Sequence, residues 1–94
     1  MAKPVVFITG GGRRIGAAIS SLLMESGYYV LIHVRNSLDE AQSIISNYSE
    51  ANDGQVGGDI IRADLLNDDI NNLIDTVSNH PKVKEYGGLF GLIH

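Results

Sequence analysis

Short apolar runs alternate with stretches of helical period along the whole chain, and few architectures accommodate that order. Val5-Val6-Phe7-Ile8 is a continuous apolar run that ends at Gly10-Gly11-Gly12. From Arg14 to Ser26, Ile15, Ala18, Ile19, Leu22 and Leu23 recur at helical spacing, and Gly27 supplies a C-terminal cap. Tyr28 to Val34 is aromatic and β-branched, as a second strand should be. Ser37-Leu38-Asp39-Glu40 then reads as a capping box, opening a helix whose face is Leu38, Ala41, Ile44, Ile45 and Tyr48. Residues 51–58 form a polar loop, and Gly58 to Ala63 a third strand centred on Ile60-Ile61. Asn67 or Asp68 caps a third helix with Ile70, Leu73, Ile74 and Val77 inward, ended by His80-Pro81. Residues 81–88 are expected to be a charged loop, and Leu89 to Ile93 a fourth strand.

The order is therefore β-α-β-α-β-α-β. Apolar strands without alternation belong in a parallel sheet covered on both faces. Right-handed crossovers then give an α/β fold, a Rossmann-type doubly wound parallel sheet of which the first half is present. The fourth strand closes the sequence, so residues 1–94 are expected to be the N-terminal part of one dinucleotide-binding domain, truncated from a longer protein. An apolar strand left at a sheet edge is otherwise an aggregation hazard.

Composition narrows the function. The chain has 94 residues, no cysteine and a net charge of −4. Thiolate metal sites and disulfides are excluded, no apolar run spans a bilayer, and no nucleic-acid or membrane partner is expected. The first apolar run is too short for a signal peptide, so a cytoplasmic location is expected. Charge is uneven, however. Residues 1–37 carry Lys3, Arg13, Arg14 and Arg35 against Glu25 alone, whereas the remainder holds three bases and ten acids. A basic cluster in an acidic chain suits a small anionic ligand near the first third.

Glycines between the first strand and the first helix let a ligand approach the backbone, and the helix N-terminus favours a pyrophosphate there. The same turn also serves close strand–helix packing. Two common patterns fail: Gly-x-Gly-x-x-Gly would need glycine at Ile15, and a Walker A loop would need Lys-Ser/Thr where Ala17-Ala18 stand. What matches is Thr-Gly-x-x-x-Arg-x-Gly, read as Thr9-Gly10-Gly11-Gly12-Arg13-Arg14-Ile15-Gly16.

On these residues the chain resembles the short-chain dehydrogenase/reductase family. Arg14 replaces the usual middle glycine, and that variant is similar to the pteridine reductase branch, including dihydromonapterin reductases. Two further segments extend the resemblance. At the end of the second strand, His33-Val34-Arg35-Asn36-Ser37 contains no acid. An acid there would hold a ribose hydroxyl and repel a 2′-phosphate. Ala63-Asp64-Leu65 follows the third strand, where the family's Asp-Leu pair meets adenine. The resemblance thus implies NADPH as cofactor, with Gly10, Gly12, Arg13, Arg14, Ile15, Gly16, His33, Arg35, Asn36, Ser37, Asp64 and Leu65 around it. Arg35 is otherwise a solvated strand-end residue, and Ser37 a helix cap.

No catalytic group is expected within the chain, and no metal site. The family uses Tyr-x-x-x-Lys, but Ile32, His33, Asn52 and Phe90 stand four residues after Tyr28, Tyr29, Tyr48 and Tyr86. His80 and His94 read as lone, solvated histidines. The resemblance implies hydride transfer to a small-molecule substrate, a reduced pterin first, by a homo-oligomeric whole protein. The alternatives are a carbonyl or 3-oxoacyl thioester reductase, and a non-catalytic nucleotide-binding module.

Overall fold

A computed structural model of the protein describes residues 3–9, 14–34, 38–63 and 70–93. Its elements are β1 (Val5–Ile8), α1 (Arg14–Glu25), β2 (Tyr29–Val34), α2 (Leu38–Ala51), β3 (Gly58–Arg62), α3 (Ile70–Ser78), α4 (Pro81–Tyr86) and β4 (Gly91–Ile93). The strands form one parallel sheet in the order β3-β2-β1-β4. The first three strands are added in one direction, and the fourth returns to the other side of β1.

Strand periodicity divides the core. Val6, Ile8, Val30, Ile32 and Val34 pack with Met24 of α1 and Ala41 of α2 on one face. Val5, Phe7, Tyr29, Leu31 and Ile61 pack with Leu73 and Val77 of α3 and Val83 of α4 on the other. Both central strands are buried along their length, as continuous apolar runs require. The outer strands depart from the expected burial. In β3 only Gly58 and Ile61 are buried, and Asp59 and Arg62 are exposed. β4 keeps only three residues, and its Leu92 is exposed. Leu89 and Phe90 precede β4 and are exposed too, although the Phe90 N–H donates to Val5 C=O at 2.9 Å.

Two helix faces also differ from expectation. In α1 the residues turned fully inward are Ser20 and Met24, with Ile19 and Leu23 alongside, whereas Ile15, Ala18 and Leu22 face outward. Ser20 tolerates burial because its hydroxyl donates to Gly16 C=O at 2.8 Å. In α3, Leu73 and Val77 are buried but Ile74 is exposed. The proposed caps Ser37, Asn67 and Asp68 lie outside the described residues. Gly27 does cap α1: its φ is +97° and its N–H donates to Met24 C=O at 3.1 Å.

The expected charged loop at 81–88 is instead largely helix. Pro81 sits in the first turn of α4, where its missing N–H costs nothing. His80 caps the start through its side chain, and Gly87 in the left-handed region caps the end. Among the described residues, no helix is long and apolar enough to cross a membrane.

Candidate functional site

Parallel register puts the carboxyl ends of the first three strands together. Ile8 pairs with Ile32, Ile32 with Ile60, and Val34 with Arg62. The chain therefore leaves β1 at Thr9, β2 at Val34 and β3 at Ala63 on one side of the sheet. β1 lies between β2 and β4, so this side includes the point where strand order reverses, the usual ligand crevice of open α/β sheets. Thr9 ties the crevice floor to β4, its N–H donating to Ile93 C=O at 3.0 Å.

Of the residues expected around a dinucleotide, Gly10, Gly12, Arg13, Arg35, Asn36, Ser37, Asp64 and Leu65 lie outside the described residues. Four others are described. Arg14 opens α1, whose first-turn amides carry the positive end of the helix dipole. Ile15 in that turn is 77% exposed, and Gly16 is half-buried.

His33 is the fourth, and it is buried. A carbonyl oxygen only accepts, so the 2.8 Å contact between Nε2 and Ala63 C=O places a hydrogen on Nε2. The ring meets Phe7 edge-to-face, with centroids 6.3 Å apart. Ala63 also donates its N–H to Val34 C=O at 3.1 Å. Both backbone groups of Ala63, one residue past β3, are therefore held by the end of β2. Sequence reasoning did not single out the Ala63 carbonyl, because its partner is 30 residues distant.

A second polar cluster lies at the amino end of the sheet. His80 is not solvated there: its side chain is 14% exposed, and Nε2 stands 2.8 Å from Asp59 Oδ2. Its Nδ1 accepts the Lys82 N–H at 3.1 Å, so the donor to Asp59 is Nε2–H. Asp59 Oδ1 accepts the N–H of Ile60 at 2.8 Å. The Tyr29 ring lies 6.0 Å from His80 and under the Lys82 ammonium at 5.6 Å. Burial, with the Asp59 charge adding, pushes the Tyr29 phenol up to about 12. This cluster fastens α4 to the sheet on the side opposite the crevice. His94 lies outside the described residues.

No family model matches the sequence. Individual proteins do. The chain is 44% identical over 50 residues, 53% of its length, to ketoreductase sphI of Aspergillus fumigatus, of which it spans 15%. Among solved structures, the alternative dihydrofolate reductase 1 FolM of Brucella canis, complexed with NADP, superposes with a TM-score of 0.68 at 34% identity. That match covers 81% of this chain and 30% of the relative. The Brucella suis protein, also in complex with NADP, gives 0.67 at the same identity and coverage. A protein from Pseudomonas syringae assigned as a short-chain dehydrogenase gives 0.78 at 26% identity, over 99% of this chain and 36% of its own. The four-stranded parallel sheet is thus the Rossmann-like arrangement of short-chain dehydrogenases and reductases, and sequence and fold together align the chain with these oxidoreductases. It spans about a third or less of each relative's length.

Proposed function

We propose that the chain is the NADP(H)-binding part of a short-chain oxidoreductase. The whole protein would act in the cytoplasm as a homo-oligomer and reduce a pteridine by hydride transfer. The observation that carries this reading is the common carboxyl end of β1, β2 and β3. It gathers the exits to the glycine turn, to Arg35-Asn36-Ser37 and to Asp64-Leu65 around one crevice. The Brucella relatives with NADP support the choice of ligand.

NADPH, when bound, supplies the hydride. The chain's own share is to hold and orient the adenosine half. The N-terminus of α1 faces the pyrophosphate, Arg13, Arg14 and Arg35 supply positive charge for the 2′-phosphate, and Asp64-Leu65 meets the adenine. With no acid closing β2, nothing at that strand end repels the phosphate.

Pteridine reduction rests on Thr9-Gly10-Gly11-Gly12-Arg13-Arg14-Ile15-Gly16, on His33 to Ser37, and on 34% identity to the two FolM proteins. The similarity to ketoreductase sphI favours a second reading, reduction of a carbonyl. Both readings share the cofactor site and differ in substrate.

Titration of the 15N-labelled protein with NADP+ tests the site. Amide shifts are expected at Thr9, at residues 10–16, at 33–37 and at 63–65. Asp59, His80 and Lys82, at the other end of the sheet, should stay in place. Shifts centred on that amino-end cluster, or none at saturating ligand, would contradict the reading.

A further inference from the structure

We infer that His80 is an acid-sensitive latch on the first turn of α4. The neutral ring closes the latch, and protonation of Nδ1 opens that turn while the rest of the helix stays seated on the sheet. The inference is independent of the proposed cofactor site, because this cluster lies at the opposite end of the strands.

His80 holds the start of α4 twice. Pro81 brings no N–H to the first turn. The Lys82 N–H ends on His80 Nδ1 at 3.1 Å, and the Lys84 N–H on His80 C=O at 3.1 Å. The other ring nitrogen reaches Asp59 Oδ2 at 2.8 Å, 21 residues away in β3. One imidazole therefore accepts from the helix at Nδ1 and donates to the sheet from Nε2–H. Only the neutral ring, in that tautomer, does both. A second proton goes on Nδ1. It takes the lone pair that the Lys82 N–H uses and sets two donors against each other. The same proton leaves the Nε2–H bond to Asp59 in place and turns it into a charge-assisted one. The ring stays on β3 as it lets go of the helix.

The surroundings confine the opening to Pro81 and Lys82. The acid facing the ring is Asp59, and the base is Lys82, whose ammonium stands 3.4 Å from Glu85 and 5.6 Å over the Tyr29 ring. Tyr29 stays neutral wherever histidine titrates, because its phenol is pushed up to about 12. Asp75 of α3 is exposed. Further along α4, Val83 is buried in the core with Val5 and Phe7. Gly87 N–H donates to Val83 and Lys84 C=O at 3.0 and 3.2 Å, and Gly88 N–H to Val83 C=O at 2.9 Å. These last bonds join backbone groups, so acid does not touch them. A histidine that titrates without operating the helix would leave the Lys82 N–H where it is.

Amide and imidazole 15N spectra, followed from about pH 8 to about pH 5, test the latch on the unmodified chain and on His80→Asn. Asparagine caps through a side-chain oxygen that gains no proton in this range. In the unmodified chain the Lys82 amide should shift with the same midpoint as the His80 ring. Its protection from exchange should fall about tenfold, as the loss of one hydrogen bond implies. The Tyr29 ring signals should move with it, and the Gly87 and Gly88 amides should not. In His80→Asn the Lys82 amide should stay protected throughout. The readout on the unmodified chain needs no variant to fold. A Lys82 amide indifferent to the protonation of His80, protection lost at Gly87 and Gly88 in step with Lys82, or a Lys82 response that survives in His80→Asn would each overturn the inference.

Discussion

Replacing Gly58 by alanine is expected to cost about 3 kcal/mol of folding stability, at the upper end of what overpacking a core position does. A β-carbon at this position would lie 2.4 Å from the Val30 carbonyl oxygen and 2.8 Å from Met24 Cε. Both distances are inside contact limits. The methionine end could swing aside, but the Val30 carbonyl belongs to the backbone of a fully buried central strand. The start of β3 would have to move away from β2, at the expense of the 3.0 Å bond from Val30 N–H to Gly57 C=O. Met24, fully buried between α1 and the sheet, would lose its seat as well. Gly91 in β4 is the control. A β-carbon there meets nothing within 4 Å, so Gly91→Ala should change stability by no more than about 0.5 kcal/mol. Urea denaturation of the two variants measures the difference directly. Equal midpoints would show that β3 is free to shift and that the contact of Gly58 with β2 is not tight.

A second large effect should appear in alkali. The Tyr29 phenol is pushed up from 10.0 to about 12, first by burial and then by the negative charge of Asp59. In the unfolded chain it ionises near its ordinary value. Between these limits the folded protein binds more protons than the unfolded chain, so stability must fall as pH rises. The contribution is fully present below about pH 10 and is lost as pH climbs towards 12, on the order of 2 kcal/mol in all. Tyr29→Phe removes the ionisable hydroxyl and keeps the ring that packs with Leu31, Val77 and Val83. That variant should hold its stability through the same range better than the unmodified chain. Denaturation midpoints from pH 9 to pH 12, with phenolate absorbance followed in parallel, check the sign. Parallel decline of the two proteins would mean that Tyr29 ionises no later when folded than when unfolded.

The sheet was legible because its central strands obey a simple demand. Val5 to Ile8 and Tyr29 to Val34 are continuously apolar because helices cover both faces of β1 and β2. The α1 face was harder to read, because its apolar residues fit two overlapping stripes. The sheet takes Met24 and Ser20 and leaves Ile15 and Leu22 outside. Ser20 goes in because its hydroxyl is satisfied locally by the Gly16 carbonyl, a bond the apolar pattern does not reveal. Helix α4, of six residues, is too short to show a period, and its punctuation, Pro81 before and Gly87 after, reads equally as a turn. Its partnership with the sheet depends on His80 meeting Asp59, 21 residues away, a pairing without local signature.

The site divides along the same line. The residues proposed for the cofactor follow β1, β2 and β3 in chain order, and the register puts the exits of those strands at one end of the sheet. The residue types suited to a phosphorylated ribose are visible as composition: arginines in the first third and no acid until Asp39 after the second strand. The partner of His33 was not visible. Its Nε2 meets the Ala63 carbonyl, 30 residues away, a pairing without local signature.

A β2 end with no acid and with Arg35 next to it should discriminate between the two nicotinamide dinucleotides. Equilibrium titration with NADPH and NADH, on the unmodified chain and on Arg35→Asp, measures that discrimination. Tighter binding of NADPH is predicted for the unmodified chain. The substitution should weaken NADPH by about 1–3 kcal/mol, as expected for losing charge-assisted hydrogen bonds, and NADH much less. Equal affinity of the unmodified chain for the two cofactors would contradict the account.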